Sequence, residues 1–336
     1  MSIHKQRNTI RESSSLGQPL CLTEKTYYSG FFRILAKQSY QVIDRIKYIE
    51  IELHNSSGKA YALCDCNLFI DAKLKHYELV KLLAYKKNVD ANQLYIQQIT
   101  PARSNINIHS ILSLPRKLSS EPKCLERLVS IRNSIASPAL ARFVDTIFSD
   151  NEIALAFLQV PASRNHHHSN PGGLLEHSVE VAENVALHTY RNNDERDIAV
   201  VAALLHDIGK VRTLKADTST TQLGKMVGHD DLTLEVCATA LKELDKDWLD
   251  ASYTLRHVWT CATPGSKYGY EQNCNIARIV QKEDGLSACR YDENQLFKLK
   301  KQNDGLTWDG KKYHWRPTAE PLITKWRTMC LKSNTH

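Results

Sequence analysis

An apolar helix that ends in an adjacent histidine and aspartate constrains this chain more than any other feature. Residues 200–210 read VVAALLHDIGK, so six apolar residues lead directly into His206 and Asp207. A buried helix rarely ends in an unpaired imidazole and an unpaired carboxylate, because burying a lone charge is costly. A metal ion resolves this conflict, since imidazole offers a neutral nitrogen and the carboxylate offers charge. A bare pair would equally fit a satisfied histidine at a helix end beside a surface aspartate.

Four further candidate ligands lie in sequence segments that have helical periodicity. His177 lies upstream, and His229, His257 and Asp284 lie downstream, each within or beside a predicted helix. The candidate ligands therefore follow the order His, His-Asp, His, His, Asp. Imidazole and carboxylate ligands without a thiolate suit Mn, Mg, Co or Fe better than a structural zinc. The sequence thus predicts a divalent metal site built from helices.

Lys210 lies one helical turn after Asp207 and gives this site a cation. A pair of ions that share a carboxylate can lower the pKa of a bound water and hold a phosphoryl oxygen. The ammonium of Lys210 would then neutralise charge that develops on the phosphoryl group. We therefore expect Asp207 and Lys210 to act in catalysis. The alternative for Lys210 is a solvated cation favoured by the helix dipole.

A histidine triplet stands just before the first of these helices, in the text NHHHSNPGGLLEH of residues 165–177. The triplet is His166, His167 and His168, and Pro171 after it indicates a loop. Adjacent side chains on extended backbone point in alternating directions, so the three imidazoles cannot all face one ion. The sequence predicts that one or two of them line the mouth of the site and bind substrate phosphates. A plain polar loop is the alternative.

The periodicity of the apolar residues changes from that of strands to that of helices at about residue 121. Alternating apolar residues predict strands at 48–53, 60–64 and 93–99, and several short strands indicate a small barrel. The text DAKLKHYELVKLLAYKK, residues 71–87, has helical character, and one helix between strands three and four would fit an OB-like barrel. Later helices are predicted at 125–131, 140–147, 172–190, 195–210, 230–245, 274–290 and near 321–331, with a hairpin turn at 308–312.

These patterns predict an all-α bundle preceded by a small OB-like β-barrel. The expected organisation is a flexible N-terminus at 1–20, the barrel at 21–102, a helical connector at 103–150, the metal-binding helical domain at 151–300 and a C-terminal tail at 301–336.

Aromatic and basic residues alternate in the barrel text, as a single-stranded nucleic acid would require for stacking and charge. The alternative is that these aromatics form the barrel core and the lysines serve solubility. The residues concerned are Tyr27, Tyr28, Phe31, Phe32, Tyr61 and Phe69, with Lys25, Arg33, Lys37, Lys47, Lys59, Lys73 and Lys75.

The composition narrows the class of protein further. The net charge of +7 favours an anionic partner without identifying one. No apolar run is long enough to span a membrane, and the N-terminal text does not resemble a secretory signal. The nine cysteines lack the paired spacing of a zinc ribbon. We therefore expect a cytoplasmic protein with reduced thiols and no membrane partner.

The ligand order, the text HDIGK at 206–210 and the closing text EDGLSA at 283–288 resemble the HD-domain superfamily of metal-dependent phosphohydrolases. The resemblance implies that one ion is held by His177, His206, Asp207 and Asp284. It also implies that Asp207 bridges to a second ion bound by His229 and His257.

The text IALAFLQVPAS at 153–163, the triplet and the text GGLLEHSVEVA at 172–182 are similar to the OB-fold/HD-domain exoribonucleases of the YhaM type. That family implies a Mn-dependent enzyme, with two ions per site, that digests single-stranded RNA or DNA from the 3′ end. Mg, Co and Fe are the alternative ions, and the family includes oligomers, so a homo-oligomer is compatible with it. The same text is also similar to the TraI-type HD module of conjugative relaxases.

The leading hypothesis is therefore a metal-dependent phosphodiesterase, a 3′-to-5′ exonuclease on single-stranded nucleic acid. The alternatives are a TraI-like HD protein that acts on DNA in conjugation and a phosphohydrolase of nucleotides or cyclic nucleotides. A nucleotide hydrolase does not need a barrel, so the barrel favours a polynucleotide substrate.

Overall fold

The computed structural model describes residues 20–22, 25–86, 93–102, 109–164, 166–262, 269–298 and 305–317. The chain divides into two units, Met1–Ser287 and Ala288–His336. The first unit contains a β-barrel followed by a helical bundle, which confirms the predicted fold class. The domain boundaries inferred from the sequence stay predictions, and the expected helix near 321–331 lies outside the described residues.

The barrel is formed by five strands that close on themselves in the order β2, β3, β4, β6, β5 and back to β2. All pairs are antiparallel except β4 with β6. The long strand β2 pairs with β5 from Thr26 to Arg33 and with β3 from Arg33 to Ile43, and a register shift between Ala36 and Tyr40 interrupts the second pairing. The strands are β1 (Leu20–Leu22), β2 (Lys25–Ile43), β3 (Ile46–Asn55), β4 (Gly58–Asp65), β5 (Leu79–Lys86) and β6 (Leu94–Pro101).

This strand order is that of an OB-like barrel, and a helix lies between its third and fourth strands as expected, but earlier in the chain than the predicted residues 71–87. Helix α1 (Cys66–Ala72) connects β4 to β5, the third and fourth strands of the closed barrel. The prediction of helical character across residues 71–87 was wrong, because Leu79–Lys86 is strand β5. Its apolar residues fit both periods over so short a run, and pairing on both sides with β2 and β6 selects the strand.

The barrel separates the aromatic residues of the sequence into buried and exposed groups. Phe32 is in the core and Phe69 packs against it, as the alternative interpretation expected. Tyr61 is 38% exposed, and the Nζ of Lys59 lies 5.2 Å from the centre of its ring. The side chains of Lys25 and Lys37 lie outside the described residues.

The helical bundle packs around α6, whose residues 198–205 are all buried. A helical segment that is apolar on every side must be covered, and the helices of residues 138–149, 173–186 and 249–260 pack against it. The helices are α2 (Pro122–Ser134), α3 (Pro138–Ser149), α4 (Asn151–Gln159), α5 (Gly173–Ala186), α6 (Asn193–Leu205), α7 (Lys210–Thr213), α8 (His229–Asp247), α9 (Leu249–Thr260) and α10 (Asn275–Lys298).

Helices α4, α7 and α9 were not assigned from the sequence, and α6 ends earlier than expected. Helix α4 begins one residue after its N-cap Asp150, whose side chain accepts hydrogen bonds from the backbone of Glu152 and Ile153. Helix α9 begins at Leu249, and Trp248 alone separates it from the end of α8, so the sequence has no loop signal between the two helices. The helix expected at 195–210 ends at Leu205, because a turn at 206–209 separates it from α7.

The second unit contains the last turns of α10 and a hairpin of β7 (Leu306–Trp308) and β8 (Tyr313–Trp315). The turn between these strands confirms the hairpin predicted at 308–312. Among the helices of the described residues, none combines the length and hydropathy needed to cross a bilayer. Free thiols are found at Cys64, Cys66, Cys124, Cys237, Cys261, Cys274 and Cys289.

A buried arginine on the barrel joins it to the helical bundle. Arg33 is fully buried and donates hydrogen bonds to the carbonyl of Phe148 at 2.7 Å and to that of Tyr77 at 3.3 Å. It also donates to the side chain of Asn151, the first residue of α4. Burial, opposed by Asp150, lowers the pKa of Arg33 to about 10, so it stays charged at neutral pH. One guanidinium therefore satisfies acceptors from three separate segments.

Replacing Arg33 with alanine should destabilise the chain, because buried acceptors on both sides of the junction would lose their donor. We expect Arg33→Ala to lower the free energy of unfolding by about 3 kcal/mol, measured by urea denaturation. The control is Arg142→Ala, which removes a half-exposed ion pair with Asp247 and should cost under about 1 kcal/mol. Equal losses in the two variants would contradict a joining role for Arg33.

Candidate metal centre

The first histidine of the centre is positioned by two glycines at the start of α5. Gly172 has φ +79°, and a Cβ there would lie 2.1 Å from Ser120 Oγ. A Cβ on Gly173 would lie 2.0 Å from the carbonyl oxygen of His168. Only glycine permits both close approaches, so the pair packs the histidine loop against the helix that carries His177.

The His-Asp pair occupies the turn between α6 and α7. His206 Nδ1 lies 2.7 Å from the carbonyl oxygen of Ala203, to which it donates a hydrogen bond. This bond leaves Nε2 of His206 as the nitrogen that can bind a metal. A Cβ on Gly209 would lie 2.0 Å from the carbonyl oxygen of His229, so this glycine lets the start of α8 approach the turn.

Asp207 lies between two groups of ligands. Its Oδ2 is 3.6 Å from His177 Nε2 and 3.5 Å from His206 Nε2. Its Oδ1 is 3.1 Å from His229 Nε2, on the other side of the carboxylate. Asp284 Oδ1 completes the first group, at 3.0 Å from His177 Nε2 and 3.5 Å from His206 Nε2. The carboxylate of Asp207 is thus placed to bridge two positions.

The residues of the first group fit a divalent cation. Ligand atoms of His177, His206 and Asp284 all lie within 4.8 Å of one another. The Nε2 atoms of both histidines are buried and form no hydrogen bond within the described residues, although Asp284 lies close to them. Leaving two such nitrogens unsatisfied is costly, and a cation that accepts their lone pairs removes the cost. Imidazole and carboxylate donors are those of a Mn, Fe, Co or Mg site.

The ionisable groups of the centre shift one another's pKa values. Burial opposes protonation of His206, but Asp207 and Asp284 outweigh it and raise the pKa of His206 to about 9. Burial also disfavours the charged form of Asp207, yet Lys210 and His206 hold the pKa of that carboxyl well below its usual range. Burial opposes ionisation of Asp284 too, but the imidazoles of His177 and His206 close to it outweigh burial and lower its pKa. Two carboxylates therefore stay ionised, and they need cationic partners.

Of three other predicted site residues, Lys210 and His229 contact this cluster, whereas His257 has a different partner. Lys210 Nζ donates to Asp207 Oδ2, so the lysine is at the centre. His229 also approaches Asp230, at 3.2 Å. His257 Nε2 instead accepts a hydrogen bond from the backbone N of Asn273 at 3.1 Å. Within the described stretches, no hydrogen bond or ion pair joins His257 to the other predicted ligands.

The histidine triplet lies beside the centre with each ring in a different environment. His166 is exposed, His167 is half-buried and His168 is 1% exposed. The rings of His167 and His168 have centroids 5.4 and 5.3 Å from that of His177. Burial, with the neighbouring His177 and His167, lowers the pKa of His168 to about 3, so this ring is neutral. The loop predicted from Pro171 is confirmed, and a substrate contact by the triplet stays a prediction.

Two residues with supporting roles were not identified as such from the sequence. Ser287 is fully buried, and its Oγ lies 3.1 Å from His177 Nδ1, which fixes the metal-facing nitrogen of that ring. The spacing of Ser287 three residues after Asp284 places both on one helix face, a signal that could have found it. Thr233 Oγ1 contacts the carbonyls of His206 and His229, each at 3.2 Å, and so connects the turn to α8.

Comparison with known proteins gives two family matches. Residues 174–289 match the family described as HD domain, and residues 119–218 match the TraI_2 family described as putative helicase. The HD-domain match includes all six predicted ligands, and the second match includes only His177, His206 and Asp207.

Curated relatives carry the printed name 3′-5′ exoribonuclease YhaM. The protein of Bacillus velezensis is 26% identical over 170 residues, which is 50% of this chain and 53% of the relative. Those of Bacillus licheniformis and Shouchella clausii are 28% and 29% identical, over 46% of this chain and 50% and 49% of their own lengths. The chain spans about half the length of the curated relatives it matches. No solved structure matches the chain.

Removing the hydroxyl of Ser287 should weaken metal binding without removing a ligand. We expect Ser287→Ala to lower the affinity for Mn by about 10- to 100-fold, because His177 loses the partner that orients its ring. Titration of the metal-free protein by calorimetry measures this, with Ser134→Ala on α2 as the control. An affinity equal to that of the control would show that Ser287 does not support the site.

Proposed function

Because the chain carries an HD domain in residues 174–289, we propose that the protein is a metal-dependent phosphodiesterase, and in particular a 3′-to-5′ exonuclease of single-stranded RNA or DNA. The observation that carries this proposal is the position of Asp207, whose two oxygens face His177 and His206 on one side and His229 on the other. The relatives named as exoribonucleases support a polynucleotide substrate and a hydrolytic enzyme.

One ion would be held by His177, His206, Asp207 and Asp284, and we propose Mn as the ion that the protein uses. Divalent ions at such a centre lower the pKa of a bound water and polarise a phosphoryl oxygen. The chain orients its ligands through Ala203 and Ser287, which leave Nε2 of each first-group histidine directed at the carboxylates.

A second ion would be shared by Asp207 and His229, with His257 as a further ligand. The 3.1 Å approach of His229 Nε2 to the free side of Asp207 supports this position. His257 accepts a hydrogen bond from the backbone of Asn273, so its nitrogen must exchange that bond for the ion. A lone pair that already accepts a proton is available to a cation once the donor moves away.

Lys210 would act on the substrate. Its ammonium contacts Asp207 and is 12% exposed, so it is partly buried at the edge of the centre. When divalent charge compensates Asp207, the ammonium is free to face a phosphoryl oxygen, where it stabilises charge that grows in the transition state. The neighbouring His167, half-buried beside His177, would contact the same phosphate from the loop.

The barrel would hold the polynucleotide strand. Two exposed tyrosines on its surface each lie under a lysine: Tyr61 under Lys59, and Tyr40, 55% exposed, with Lys47 Nζ 4.4 Å from its ring centre. A tyrosine face beside a cation can stack a base and neutralise its phosphate without reading sequence. These pairs support single-stranded nucleic acid as the partner of this surface.

The match to the TraI_2 family favours a second candidate, an HD protein that acts on DNA during conjugation. That match ends at residue 218, before His229, so it supports the first ligand group alone. A phosphohydrolase of nucleotides or cyclic nucleotides is the third candidate and would use the same ligands. The sugar preference and the size of the cleaved substrate separate the three candidates.

Removal of the bridging carboxylate should abolish hydrolysis. Purified protein with Mn is incubated with end-labelled single-stranded RNA and DNA of the same sequence, and products are resolved on a gel. We expect shortening from the 3′ end, and a loss of rate on the order of 1,000-fold in Asp207→Ala, since both ion positions share this ligand. Asp247→Ala, at an exposed ion pair, is the matched control. Full activity of Asp207→Ala would overturn the assignment of the site.

The second ion can be counted directly. We expect the wild-type protein to bind two Mn ions per chain and His229→Ala to bind one, because only the outer oxygen of Asp207 loses its partner. Elemental analysis after gel filtration measures the ratio, with His314→Ala in the second unit as the control. Equal ratios in wild type and His229→Ala would indicate a site with a single ion.

A further inference from the structure

A cavity opens beside the metal centre on the side of His229. Its volume is about 590 Å³, which is within the ~300–1,000 Å³ of typical small-molecule sites. His229 lines this cavity and also approaches Asp207, so the cavity adjoins the outer side of the bridging carboxylate. Arg164, Thr213, Ser219 and Lys225 form other parts of the wall. We refer to it as the His229 cavity.

The far wall of the His229 cavity is a hydrogen-bonded loop between α7 and α8. The backbone N of Thr221 donates to the carbonyl of Thr213 at 2.9 Å, and its hydroxyl donates to the carbonyl of Arg212 at 2.7 Å. A Cβ on Gly224 would lie 2.5 Å from the carbonyl oxygen of Thr213, so glycine is needed for the loop to pack this closely. These contacts make the cavity a formed site, since its wall is fixed without a ligand.

Two cations of the His229 cavity have no partner among the described residues. Arg164 and Lys225 are exposed, and neither side chain forms a hydrogen bond or an ion pair within those parts of the chain. Asp217 accepts from the backbone and the hydroxyl of Ser219, and Asp230 approaches His229. A third carboxylate, that of Asp231, lies near Gly228 of the wall, where a Cβ would be 3.8 Å from its Oδ2, but one carboxylate cannot balance two cations. The positive charge of the cavity is therefore not cancelled by its own wall.

We infer that the His229 cavity binds the nucleotide next to the scissile phosphodiester, with Arg164 and Lys225 pairing with phosphate oxygens of the polynucleotide backbone. A phosphate is the ligand that such solvated cations favour, and a guanidinium can bind it through two parallel hydrogen bonds. The position beside His229 sets this nucleotide one step from the bond that is cut. This inference rests on the proposed function, because it assigns a flanking site to the same centre.

The assignment implies a basis for substrate choice. A polynucleotide presents further phosphates on the 5′ side of the reacting bond, whereas a small diester presents only the reacting phosphate. Contacts made to a remote phosphate are equally available in the ground state and the transition state, so they lower KM and leave kcat unchanged. The two cations would therefore make the enzyme select polynucleotides.

The first test is binding in the absence of metal. A short fluorescent single-stranded oligonucleotide is titrated with protein in a chelator over a series of salt concentrations. We expect Arg164→Ala/Lys225→Ala to reduce the slope of log affinity against log salt by about 1.4, since each contact to a single strand contributes about 0.7. The control is Lys242→Ala/Lys246→Ala, two exposed cations on α8. A slope unchanged from wild type would overturn the inference.

The second test compares two substrates with Mn present. We expect the Arg164→Ala/Lys225→Ala variant to raise KM for the oligonucleotide at least about tenfold and to leave hydrolysis of bis-(para-nitrophenyl) phosphate unchanged. An equal loss on both substrates would contradict the inference, because the cations would then serve the centre itself. If the wild type hydrolyses neither substrate but the double variant still shows the reduced salt slope, the proposed function fails, whereas phosphate binding by Arg164 and Lys225 stands.

Discussion

The ionised carboxylate of Asp207, 5% exposed at the end of an apolar helix, sets the conditions for the rest of the centre. A buried charge without partners would be too costly, so other elements must bring cations or polar hydrogens to it. The chain does this with side chains from α5, α7, α8 and α10, of which Lys210 contacts Oδ2 of the carboxylate and His229 approaches Oδ1. The glycine at position 209 is part of the same requirement, because it lets α8 come close enough for His229 to reach.

Much of the centre follows from local sequence because its ligands lie on helices with clear periodicity. His206 and Asp207 follow a run of eight buried residues, 198–205, and a pattern of this kind already implies burial and partners. The grouping of ligands does not follow from the pattern, since it depends on how distant helices pack. Ser287 illustrates the difference: its spacing from Asp284 was visible, but its contact with His177 spans 110 positions and requires the tertiary fold.

The barrel was harder to derive because its pairing is long-range. Strand β2 pairs with β5 through Phe31 and Lys81, and its text shows no strict alternation that would mark a strand. The run from 79 to 86 was interpreted as helical for the same reason. Arg33 shows that a charged residue can also be misassigned. As a cation in a predicted strand it suggested a nucleic-acid contact, but it lies buried between the barrel and the helices. Charge alone does not say which surface a residue will occupy.

Electrostatic repulsion also links the binding of substrate at the centre to the binding of metal ions. A phosphodiester is an anion, and the carboxylates of Asp207 and Asp284 repel it unless their charge is compensated. Divalent ions would supply that compensation at the centre, whereas Arg164 and Lys225 supply positive charge at the adjoining cavity without any ion. A nucleic-acid strand can therefore be held beside the centre before the centre binds its metal ions. The phosphate of that strand gains a favourable position between His177 and His229 only once the charge of the carboxylates is compensated. Substrate affinity and metal affinity should then reinforce each other, because each reduces the electrostatic cost that the other meets.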